Sequence, residues 1–145
     1  MTSVRERLLR AVLERLRAAV APSTVLRSPT TPVHRDSSAA LLLFPETDAV
    51  TGHANALIDR ALTFRLVAVA RGSPDIDSAF DVADQLVVAA HAALFADANL
   101  GGLAIALREL DSEWDAEDAD AGAVAMPARY EIRYRTHAHD LTRSG

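Results

Sequence analysis

There is no cysteine in this 145-residue chain, and that absence removes three kinds of chemistry. It excludes a disulfide framework, a thiolate metal site and a cysteine nucleophile. Lysine is missing too: all 15 basic residues are arginine, so neither a Schiff base nor a Walker-type phosphate contact is available. Aromatic residues make up only 5% while 50% of residues are apolar, which predicts a thin core of small aliphatic side chains. No unbroken apolar run approaches the ~20 residues that span a bilayer. Arg5, Glu6, Arg7 and Arg10 interrupt what would be the apolar stretch of a signal peptide. A soluble chain made in the cytosol, with no membrane partner, is the expectation. The net charge of −5 makes a phosphate backbone a poor electrostatic match, which argues against sequence-specific nucleic-acid binding.

The residues present outline two helices and five strands. Ser3-Val4-Arg5-Glu6 has the form of a capping box. Val4, Leu8, Leu9, Val12, Leu13, Leu16 and Val20 then recur at helical spacing until Pro22. Thr24 to Arg27 is a short edge strand among prolines, and Ala39 to Phe44 a buried strand stopped by Pro45. Glu46 to Asn55 is polar and reads as a loop. Leu57 to Arg71 is the longest strand, with Leu62, Phe64, Leu66, Ala68 and Ala70 on one face and Thr63, Arg65, Val67, Val69 and Arg71 on the other. Ser73 as N-cap and Pro74 at the first helical position start a second helix, whose stripe is Ile76, Phe80, Ala83, Leu86, Val87, Ala90 and Leu94. A strand is expected from Ala104 to Trp114, an acidic turn from Asp115 to Gly122, and a closing strand from Val124 to Thr136 with Tyr130, Ile132 and Tyr134 inward. The order predicts an α+β fold: a two-layer sandwich of a mostly antiparallel mixed sheet with two main helices on one face. Residues 1–136 form a single domain in this reading, and 137–145 a polar C-terminal tail that frays.

Catalytic patterns are missing from the sequence. Gly101-Gly102 stands alone, outside any dinucleotide fingerprint or serine elbow. His137, His139 and Asp140 could present three metal ligands, but a polar tail accounts for them more simply. His91 borders the second helix's stripe, and His34 and His53 fall in expected loops. A calcium loop starting at Asp111 would need glycine and glutamate where Ala116 and Gly122 stand, and one starting at Asp118 meets Ala123 and Arg129. What remains is a solvated hairpin in which odd residues oppose odd ones, setting the Glu109–Asp120 carboxylates against Arg129, Arg133 and Arg135. No cofactor, metal or catalytic residue is therefore assigned, and a non-enzymatic role is expected.

Four features together resemble the tail terminator or tail completion proteins of long-tailed phages, a group similar to minor tail protein U of lambdoid phages. The opening helix Val4 to Val20 leads through Thr24-Val25-Leu26-Arg27 into a proline-rich link. The strand from Leu62 to Gly72 runs directly into a helix, which Leu100-Gly101-Gly102-Leu103 follows. Tyr130-Glu131-Ile132-Arg133-Tyr134-Arg135-Thr136 closes the chain. The resemblance implies a virion protein of the tail, assembled in the host cytoplasm. It would form a ring, commonly of six copies, that caps the tail tube protein and offers a surface to the head-tail connector while DNA passes through. A ring needs a heterologous interface that closes, and the candidate self-association residues are Arg65, Val67, Val69 and Arg71 with Glu109, Asp111 and Glu113. A neck or head-closure protein of the same particle, and a small ligand-binding or enzymatic α+β domain, are the alternative readings.

Overall fold

Ser3 opens the first helix: in an extended conformation, its hydroxyl accepts a hydrogen bond from the Glu6 amide at 3.1 Å. The helix, α1, spans Val4–Val20, and its apolar stripe, Val4 through Val20, is buried throughout as the spacing predicts. Glu6 does not complete the capping box as expected. Its carboxylate turns to Arg27 in a fork of 2.7 and 2.9 Å and to Arg10 at 3.1 Å, and these guanidinium groups, Arg27 foremost, hold it below its ordinary range.

The computed structural model describes residues 1–30, 39–71, 76–114 and 123–145. After α1 come β1 (Thr24–Arg27), β2 (Ala39–Ala54), β3 (Leu57–Arg71), α2 (Ile76–Phe95), β4 (Ala106–Leu110), β5 (Ala123–His137) and β6 (Asp140–Ser144). These six strands form one mixed sheet in the order β1-β2-β3-β5-β4, with β6 also on β5; among the described residues only β1 and β2 pair in parallel. Both helices pack on one face, where Leu41, Leu43, Leu62, Phe64, Leu66, Tyr130, Ile132 and Tyr134 join the stripe of α1 in one buried cluster. This is the α+β two-layer arrangement that the sequence predicts. The expected cap at Ser73 and Pro74 and the acidic turn of residues 115–122 lie outside the described residues.

Four further local expectations are corrected. Strand β2 does not stop at Pro45: it continues to Ala54 through irregularities between Pro45 and Thr47 and between Val50 and Gly52, so the expected loop is strand. β1 reaches only Ala40 to Leu43, so the missing amide of Pro45 falls where no neighbouring strand needs it among the described residues. Strand β4 is five residues long, shorter than expected at both ends. Phe80 is 44% exposed; α2 turns Ala79, Ala83, Leu86, Ala90 and Leu94 inward instead. Alanine permits a closer approach of helix to sheet than phenylalanine would. The C-terminal residues do not fray. β6 pairs with β5 at Thr136 and His137, the Ala138 amide donates to the Ala56 carbonyl, and an Arg7 guanidinium donates to the Thr142 carbonyl.

Asp77–Phe95 is long and apolar enough to cross a membrane by length and composition alone. Asp81 and Asp84 interrupt it on the exposed side, and its buried residues belong to the core of the sandwich.

Candidate assembly surface

Strand alternation carries Arg65, Val67, Val69 and Arg71 to the sheet face opposite the helices. They do not present equal surface there. Val67 is only 6% exposed, forming a second apolar cluster with Ala40 and Leu42, against which Leu26, Phe44, Val69 and Ala125 pack. Arg65, Val69 and Arg71 are half-buried. The Arg65 guanidinium lies 5.1 Å from the centre of the Phe44 ring, a cation–π contact with its cross-strand partner.

Arg65 shares a cleft of 430 Å³ with Glu46, Glu113 and Arg129. Arg129 organises it. Its Nε donates to Glu46 at 3.1 Å, its Nη1 to the Asp111 carbonyl at 3.2 Å, and its amide to the Ser112 hydroxyl at 3.1 Å. The segment after β4 is thus tied to the sheet, and Arg65 and Glu113 line the same cleft within one chain.

The expected odd-to-odd hairpin register is one residue out. Arg108 stands opposite Glu131, Glu109 opposite Tyr130, and Leu110 opposite Arg129. Because strand side chains alternate, that single step moves Glu109 to the helix side and puts Arg108 among the arginines. Glu131 becomes the central acid: Arg108 grips it with bonds of 2.8 and 3.1 Å, and Arg133 adds a third at 3.1 Å. Arg108 foremost, then Arg133, holds the Glu131 carboxyl below its ordinary range against the opposing effect of burial. Nearby, Arg135 bonds Asp59 at 2.6 Å. The alternation around Glu131 was visible in the sequence, but its partner Arg108 depended on a register that the sequence did not fix.

Of the histidines, His91 takes a structural place. His91 Nδ1 lies 2.9 Å from the Tyr130 hydroxyl, inside a cluster with Phe64 and Phe95. The Asp140 carboxylate accepts from the Thr142 amide at 3.0 Å and hydroxyl at 2.6 Å, which spends it on the β5–β6 turn. His53 is an exposed β2 residue, and His34 lies outside the described residues. Among the described residues no group of three or more histidine or carboxylate side chains converges as a metal site.

A second polar cluster lies on the helix side. The Tyr134 hydroxyl donates to Asp48 Oδ2 at 2.6 Å, Arg5 approaches the same oxygen at 3.3 Å, and Arg60 Nε donates to the Thr136 hydroxyl at 3.0 Å. Asp48 belongs to the stretch that reads as loop, so alternation offered no way to find it. Neither a scan against protein-family models nor a search of curated proteins finds a match for this chain.

Proposed function

We propose that this chain is a structural subunit that closes into a ring at the head-proximal end of a phage-type tail tube. The ring stops tube polymerisation and gives the head-tail connector a surface to join. The observation that carries this reading is the order of elements. The opening helix α1, the short strand β1 after it, the long strand β3 with a helix as the next element, and the long strand β5 near the C-terminus keep the order of the features on which the resemblance rests, with β6 added after β5. The chemistry of the surface supports the same class of role. Its arginines are spent on carboxylates and on an aromatic ring across a broad sheet, an arrangement suited to protein contacts, where arginine is favoured.

The test combines light scattering with tube capping. The purified chain at high concentration should give a ring-sized species, and added tail tubes should acquire it at one end and stop growing. A monomer that neither binds tubes nor limits their length refutes the proposal.

A further inference from the structure

The two rims of the sheet differ, and they match each other in level and direction. On one rim β1 covers β2 only from Ala40 to Leu43; beyond Phe44, no strand among the described residues pairs with that edge of β2. Glu46, Thr47, Ala49, Val50, Thr51, His53 and Ala54 are exposed along it, Val50 by 49%. On the other rim no strand among the described residues pairs with the outer side of the short strand β4, and exposed Ile105 stands just before it. An open edge presents unpaired amides and carbonyls, a template for a further strand.

Cross-strand register places these two rims on one line. Ala106 pairs with Arg133, Arg133 with Ala61, and Ala61 with Ala49. β4 therefore lies level with the part of β2 that β1 leaves free. The directions agree as well. β2, β3, β5 and β4 are successively antiparallel, so β4 runs opposite to β2. In a cyclic ring every copy has the same polarity about the axis, so β4 of one copy meets β2 of the next in antiparallel sense, without an axial step. Absence of an axial step separates a closed ring from an open helical filament.

From this match we infer that the copies join edge to edge, β4 of one subunit pairing with residues 46–51 of β2 in its neighbour. The inference rests on the ring reading and names the surfaces that make the ring. Side-chain faces agree across the junction. Ala106 and Ala49 both lie on the helix-free face, and Arg108 on that face comes beside Thr47 and Glu46. Pro45, which lacks an amide, marks where the pairing begins and keeps it away from β1. Val50 and Ile105, exposed in the isolated chain, come to the junction.

The absence of cysteine makes the test direct. Within one chain, Ala49 and Ala106 are three strand spacings apart, ~14 Å, beyond the ~7 Å Cα separation that a disulfide bridges. A double variant, Ala49→Cys with Ala106→Cys, can therefore crosslink only between chains. Both sites are exposed alanines, and circular dichroism verifies the fold. On mild oxidation the double variant should give a covalent ladder ending at the ring size found by light scattering, while each single variant gives no ladder beyond dimers. If rings form and the double variant gives no ladder, the edge junction is wrong and the ring reading stands. If no ring forms, alone or on tail tubes, both fail.

Discussion

Replacing Tyr134 with phenylalanine deletes one oxygen, and the structure indicates what that oxygen holds. The Tyr134 hydroxyl is the shortest contact of Asp48, at 2.6 Å, and the Asp48 side chain is only 11% exposed. The other Asp48 oxygen, Oδ1, is buried without a hydrogen-bond partner, so the carboxylate depends on what reaches Oδ2. Arg5 also reaches it, at 3.3 Å from a side chain that is 53% exposed, and exposed pairs of that kind contribute ~0–1 kcal/mol. The hydroxyl is the larger support, since a hydrogen bond to a charged group contributes ~1.5–3 kcal/mol. Tyr134→Phe should lower stability by that amount, or about 5–10 °C in melting temperature for a chain of this size.

A double-mutant cycle with Asp48→Ala separates the bond from the packing. Asp48→Ala leaves the Tyr134 hydroxyl buried and unpaired; the double variant removes both groups, so its cost should fall short of the sum of the singles by ~1.5–3 kcal/mol. Urea unfolding at neutral pH provides the four free energies. A coupling below ~0.5 kcal/mol, the usual additivity error, would show that solvent replaces the hydroxyl without loss and that Asp48 is not held by it.

Burial, then the charge of Glu109, pushes Tyr130 up to about 12, and burial followed by the bond to Asp48 pushes Tyr134 higher still. These are the chain's only two tyrosines, so the native protein should show no tyrosinate absorbance at pH 10, where the unfolded chain is half ionised. The corresponding stability is complete below the unfolded value near 10 and is lost as pH rises through the folded values; tyrosinate at pH 10 in native protein would refute the burial argument. Deleting residues 138–145 removes the Ala138 and Gly145 amide bonds and the Arg7–Thr142 bond, at ~0.5–1.5 kcal/mol each. The truncation should unfold at lower urea, and an unchanged midpoint would mean that β6 contributes nothing.

Legibility followed periodicity. The stripe of α1 and the inward residues of β3 and β5 were readable because each sits in an element whose apolar repeat is unbroken for three turns or more, or for several alternations. β2 failed that criterion beyond Phe44 for a specific reason. Two irregularities within six residues reset the alternation at Thr47 and again at Gly52, so no period of two survives to be seen. β6 gives no apolar signal, because backbone bonds and the Asp140–Thr142 turn hold it, not a buried face. Phe80 misled through its size. The helix turned the smaller Ala79 inward, one position away and 100° around the axis.

The surface was less legible than the fold because its chemistry depends on register, which is a relation between strands. The sequence contained the right charges: arginines at alternate positions of β5, and acids and one arginine around β4. Sliding β4 by one residue exchanges Glu109 for Arg108 as the neighbour of the arginine face, and so turns an array of acid–arginine pairs into a single glutamate gripped from two sides. Turn chemistry in residues 115–122 would have had to set that register, and alternating acids with few glycines specify no defined turn. The same dependence makes the ring junction decidable. A one-residue slip between β4 and a neighbouring β2 would move Ala106 to the opposite face from Ala49, and the disulfide that reports the junction would not form.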